Sequence, residues 1–192
     1  MFRLLFFTLI LPIFYSSSAQ DISFYKESIT MKIADDFFYV SGTYYLKGEI
    51  SSNKTLVYPF PVDPLYGNVD SVYFFNLTSN EIIIPQKTNN KSSVFKIDFG
   101  KNNKMVIQAS YRQKLLSNKA EYILKTTMAW KKPLEQANYQ LIIPANIRIT
   151  TFSISPQDSV NSGKEVIYYW EKHNYMPGEN MIFEFTYEPA WK

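Results

Sequence analysis

The chain reads as all-β: an antiparallel β-sandwich, immunoglobulin-like or related, with little or no helix. Three observations predict this. Apolar residues recur with a period of two through nearly the whole chain, and turn-forming residues interrupt them at short spacings. Aromatic residues make up 17 % of the sequence, and Tyr and Phe suit the half-buried, pleated surface of a sheet.

The first nineteen residues stand apart. Met1-Phe2-Arg3 supplies a positive start, Leu4 to Tyr15 an apolar run, and Ser16-Ser17-Ser18-Ala19 small residues. That is the layout of a signal peptide cleaved after Ala19, leaving Gln20 as the mature N-terminus. A run of about twelve residues, broken by Pro12, is too short to span a bilayer. A secreted or periplasmic protein is expected, with 20–192 as a single sandwich domain and no membrane insertion after cleavage. An exported chain without cysteine forgoes disulfides, so packing alone must hold it. The composition fits a bacterial envelope.

Ile29, Met31 and Ile33 share one face of the first strand, against Ser28, Thr30 and Lys32 on the other. Asp35-Asp36 marks a turn, since acidic side chains can bond their own backbone. Phe38, Val40, Gly42, Tyr44 and Leu46 continue the alternation. Met105, Ile107, Ala109 and Tyr111 repeat it, as do Tyr122 with Leu124, and Ala137, Tyr139, Leu141 and Ile143. Val166, Tyr168 and Trp170, then Met181, Phe183, Phe185 and Tyr187, complete the set. The best helical candidate, Pro133-Leu134-Glu135-Gln136, reads better as a loop.

Several chemistries are excluded by residue type. Zinc sites and catalytic triads would have to share one histidine, His173, expected in a polar loop over 171–178. No glycine spacing suits a phosphate loop. Asp98-Phe99-Gly100 spells a kinase magnesium motif without its companions, and reads as a strand end entering a turn. The formal charge of +3 is carried mostly by scattered lysines, which argues against nucleic acid. No cofactor and no metal is expected. Paired carboxylates survive as the one route to catalysis, with Asp63 and Asp70 the best-placed acids.

The segment Tyr58-Pro59-Phe60-Pro61-Val62-Asp63-Pro64-Leu65-Tyr66 draws most interest. Its prolines force an edge strand, a bulge or a loop, while Tyr58, Phe60 and Tyr66 either plug an open end of the sandwich or grip a ligand. Trp130, before Lys131-Lys132-Pro133, poses the same choice. These four are the candidate ligand-binding residues.

Val40-Ser41-Gly42-Thr43-Tyr44-Tyr45-Leu46, then Tyr58 to Val62 and Val69-Asp70-Ser71-Val72-Tyr73, resemble the vault and inter-alpha-trypsin type of β-sandwich domain. Tyr111 to Leu115, Tyr122 to Thr127, Trp130 and Lys131 to Ala137 are similar to a pattern in exported bacterial sandwich proteins. The resemblance implies a non-catalytic interaction module and no catalytic residue; the function expected is an exported, non-enzymatic module that binds a protein or cell-envelope component. A carbohydrate-binding module or carboxylate glycosidase, with a glycan as partner, is the alternative.

Overall fold

The computed structural model describes residues 22–62 and 64–188. The expected signal peptide, Gln20 and Asp63 lie outside the described residues. β1 (Ile22–Ala34) and β2 (Phe37–Gly48) open the fold as a long hairpin. Its two-residue turn has positive φ at both Asp35 (50°) and Asp36 (62°), the conformation that matches the twist of the flanking strands. Then come β3 (Asn53–Pro59), β4 (Tyr66–Asn76), β5 (Glu81–Ile82), β6 (Lys87–Thr88), β7 (Ser92–Asp98), β8 (Lys104–Leu115) and β9 (Lys119–Tyr122). A 3-10 helix spans Lys125–Trp130. β10 (Leu134–Pro144), β11 (Ile147–Phe152), β12 (Asp158–Asn161), β13 (Glu165–Tyr175) and β14 (Met181–Tyr187) follow.

Among the described residues the strands form one eight-stranded sheet, in the order β12-β13-β10-β1-β2-β8-β4-β5, and two three-stranded sheets, β11-β14-β9 and β3-β7-β6. Both small sheets contribute to apolar clusters with the large one, which gives the sandwich. The first cluster joins Ile29, Met31, Ile33, Phe38 and Leu141 to Phe183 and Phe185 of β14. The second joins Leu46, Met105 and Ile107 to Phe95 and Ile97 of β7. The period-two reading of the sequence holds in both, because inward side chains of each strand meet a facing sheet.

Three local expectations need correction. The sheet is not wholly antiparallel: β1 pairs with β10 in parallel, Ile29 beside Tyr139 and Met31 beside Leu141. The far edge of β1 is taken by a strand that arrives only after crossing the facing layer, and such a crossover delivers a parallel neighbour. Helical structure occurs at Lys125–Trp130, whereas Leu134 to Gln136, expected as a loop, form the start of β10. Lys131, at φ 54°, ends the 3-10 turn, and Pro133 cannot extend it. His173 belongs to β13 rather than a loop, its side chain exposed beside Glu171 at 3.0 Å.

The Pro-rich segment behaves as its prolines require. β3 lies at an edge of its sheet and ends at Pro59. Gln113 of β8, itself buried, then donates to the carbonyls of Pro61 (3.1 Å) and Gly67 (2.8 Å), which ties the following turn to the large sheet. Asp98 accepts a hydrogen bond from Gly100 N at 2.8 Å, with Gly100 at φ 53°, so the Asp-Phe-Gly triplet is a turn.

Candidate functional site

A bulge in β1 decides what faces the seam between the two small sheets. Phe24 pairs with Leu46 and Lys26 with Tyr45, so Tyr25 is the extra residue. Before the bulge Ile22 and Phe24 point inward; after it Glu27, Ile29, Met31 and Ile33 do. The bulge therefore turns Lys26 away from the core and buries Glu27, which is 1 % exposed.

Burying a carboxyl is unfavourable unless its oxygens find partners. Here tyrosines supply them. Tyr139 Oη of β10 donates a short hydrogen bond to Glu27 Oε1, and the Tyr122 phenol of β9 faces the carboxyl and favours its charged form. Tyr122 Oη lies 3.0 Å from Tyr44 Oη of β2, which lies 2.7 Å from Tyr58 Oη of β3. The chain Tyr58–Tyr44–Tyr122–Glu27–Tyr139 thus links β3, β2, β9, β1 and β10, crossing all three sheets. Among the described residues no buried side-chain polar atom lacks a partner.

Each hydroxyl has a single proton to donate, so the ionised carboxylate, an acceptor only, sets the direction of every bond. Tyr122 and Tyr139 donate to it, Tyr44 donates to Tyr122, and Tyr58 donates to Tyr44. Burial is the main cause that pushes the phenols of Tyr44, Tyr58, Tyr111, Tyr122 and Tyr139 upward, so they stay protonated. Burial also raises Glu27 from 4.5 to about 7, outweighing the opposing hydrogen bonds from Tyr139 and Tyr122. Glu27 is thus the member of this network that changes charge near neutrality.

Gly42 makes room for the chain. Its inward position on β2 lies beneath the Tyr44 ring. A Cβ there would stand 2.5 Å from Tyr44 Oη and 2.7 Å from Ile29 Cδ1, too close for either to remain.

A pocket of about 100 Å³ opens beside this network. Its lining comes from β1, β2, β7, β8 and β9, from Leu56 to Pro59 on β3, and from Ile123, Thr126, Thr127 and Trp130 around the 3-10 helix. Val57 and Thr126, both exposed, lie on its rim. The lining carries one carboxyl, Glu27, and no lysine, arginine or histidine. Phe24 packs against Tyr44 (5.6 Å between centroids) and Trp130 (6.2 Å), which gives the pocket aromatic walls.

The four residues singled out from sequence divide. Tyr58 and Trp130, both half-buried, come together as walls of the pocket. Phe60 is buried in the core against Tyr111 at 5.4 Å, and Tyr66 is buried at the start of β4. Asp70 instead pairs with Arg112 at 2.5 Å on the exposed face of the large sheet, and that guanidinium holds its carboxyl below the usual range. Glu27, Tyr44, Tyr122 and Tyr139 were missed as site residues. Extending the phase of Ile29, Met31 and Ile33 back by one step reaches Glu27, an acid on an apolar face. That was the signal.

Among the described residues no group of three or more His, Cys, Asp or Glu is arranged to hold a metal ion, and no helix is long and apolar enough to cross a membrane. No family model and no curated protein matches the chain. Solved structures do share its fold. A protein of Legionella pneumophila described as a "putative nutrient binding protein" superposes with a TM-score of 0.71 at 13 % identity, over 88 % of this chain and 68 % of that one. The M1 zinc metallopeptidase of Deinococcus radiodurans gives 0.54 at 6 % identity, covering 86 % of this chain and 42 % of the peptidase. A substrate-bound form of that peptidase gives 0.53, with 86 % and 43 % covered. This chain therefore spans less than half the peptidase's length, and the likeness in each case is one of fold.

Proposed function

We propose that this chain is an exported, non-enzymatic binding module that holds an exposed group of a protein or cell-envelope component in the seam pocket. The observation that carries the reading is the pocket itself, set where three sheets meet, with aromatic walls and a hydroxyl chain ending in a carboxyl. Ligand sites are typically concave and mostly apolar, with a few converging polar groups. The nutrient binding ascribed to the Legionella protein supports a binding role, and the resemblance of Val40 to Tyr73 to vault-type sandwich domains supports a non-catalytic one. A two-carboxylate hydrolase needs a second acid across the cleft, and the pocket lining supplies one carboxyl.

Amide NMR spectra during titration with small organic probes test the reading. Shifts are expected on Leu56–Tyr58 and Ile123–Trp130, and Leu56→Trp, which fills the pocket, should abolish them while the protein still melts cooperatively. Shifts confined to other surfaces would refute the proposal.

One observation favours the carbohydrate alternative. Tyr73 and Phe75 lie nearly parallel on the solvent side of β4, with rings inclined at 15° and centroids 6.1 Å apart. Glycan binding lost on Tyr73→Ala and unaffected by Leu56→Trp would move the site there.

A further inference from the structure

We infer that the seam pocket receives an alkylammonium group, the cationic end of either a free amine or a lysine side chain. The inference rests on the reading of the seam as a binding site and names the chemistry that the site selects.

Three features converge on a cation. The first is a buried carboxyl without a cationic neighbour in the pocket lining. A buried charge left uncompensated is strongly unfavourable, and an apolar residue of similar size would pack there more stably. An acid facing an accessible pocket is explained if a ligand brings the missing charge. The second is the unfilled acceptor capacity of Glu27. A carboxylate offers about four lone-pair sites, whereas Tyr139 donates one hydrogen bond to Oε1 and the phenol of Tyr122 faces the group.

The third feature is the wall. Seven aromatic residues line the space, among them Phe24, Tyr44, Tyr58, Phe95 and Trp130. Ring faces carry negative potential and attract ammonium ions, an effect that strengthens when the ion is desolvated. Size agrees with charge. A cavity of about 150 Å³ holds benzene, so a pocket of about 100 Å³ that opens at its rim admits an ammonium head and the first carbons of its chain.

The groups that face Glu27 fix the expected pH behaviour. They are Tyr139 on β10, Tyr122 on β9 and Tyr44 on β2, with Tyr58 on β3 and Tyr175 on β13 farther off. All are phenols held neutral by burial, so Glu27 alone gains charge as the pH rises past about 7. Alkylammonium ions stay protonated to about pH 10, as lysine does. Cation binding should therefore strengthen with rising pH across neutrality.

The test titrates the full chain with n-butylammonium, with the neutral 1-butanol and with the peptide Gly-Lys-Gly, following seam amides by NMR at pH 5.5 and 8.5. At pH 8.5 n-butylammonium should bind at the seam about tenfold more tightly than 1-butanol. That preference should disappear at pH 5.5 and in Glu27→Gln. Tighter binding of the peptide than of the free amine assigns the source to a protein lysine; the reverse assigns it to a small amine. Equal affinity for n-butylammonium and 1-butanol at the seam would overturn the cation inference and leave the binding-module reading standing. Binding of no probe at the seam would overturn both. Should Glu27→Gln fail to fold, the wild-type comparison of cation with alcohol at the two pH values still decides.

Discussion

The two ends of the β1–β2 hairpin are built from the same alternation and finish as opposite environments. Near the turn, Ile29, Met31, Ile33, Phe38 and Val40 are all essentially unexposed and pack in an apolar cluster with Phe183 and Phe185. Beyond Ile29 in the other direction, the same inward positions carry Glu27 and Tyr44, and their neighbours across the sheets are Tyr58, Tyr122 and Tyr139. The period is constant along the hairpin; what changes is the chemistry placed on it. The dry end supplies stability through dispersion and removal of apolar surface from water. The polar end gives some of that up and holds a titratable group at an opening.

The sharpest way to break this contrast is to damage the dry end. Phe183→Ala should destabilise the fold by about 3–5 kcal/mol, measured by urea unfolding, through lost burial and the cavity left behind. The ring packs on Phe38, Phe152 and Trp170, so no single neighbour can fill its place.

The polar end should reveal itself through pH. Glu27 takes up protons more readily in the folded state, rising from 4.5 to about 7. Between those values the folded state binds more protons than the unfolded one, so stability falls as pH rises and is greatest below about 4.5 for this group. At about 1.4 kcal/mol per pKa unit, the loss by pH 8.5 is about 3 kcal/mol. Denaturation at a series of pH values should show this slope in the wild type and its removal in Glu27→Gln.

A smaller effect should follow Gly42→Ala. The added methyl displaces Tyr44 from Tyr58 and Tyr122, and overpacking of this kind typically costs about 1–3 kcal/mol. Heteronuclear spectra should show shifts at Tyr44, Tyr58 and Tyr122 while Phe183 and Leu141 are unmoved. Least of all should come from Asp70→Asn. The Asp70–Arg112 pair is solvent-exposed, and exposed ion pairs contribute little. Its thermal melting curve should overlay that of the wild type.

The contrast also separates what sequence shows from what it hides. Alternation disclosed the sandwich, the hairpin turn at Asp35-Asp36 and the inward tyrosines, because period and turn chemistry are local properties. The parallel docking of β10 on β1 was hidden, since pairing across the long intervening chain leaves no local mark. The 3-10 turn at Lys125–Trp130 was hidden too, being short and held by tertiary contacts, such as Asn180 Oδ1 accepting from the backbone of Leu124 and Lys125 at 3.0 Å. Attention to aromatic residues in the Pro-rich segment found Tyr58 and missed its partners. Phe60 has equal aromatic character and is a core residue, because Tyr58 precedes the end of β3 and Phe60 follows it under Tyr111. Glu27 was within reach: the switch of inward positions from even at Ile22 and Phe24 to odd at Ile29 signals a bulge between them. Its exact place depends on β2.

The polar end of the hairpin turns on a buried carboxyl that changes charge near neutral pH. A carbon-13 NMR titration of the Glu27 side-chain carboxyl tests it most directly. A midpoint near 7 is expected, shifted downward when n-butylammonium is present. A midpoint near 4.5, unmoved by the amine, would contradict it.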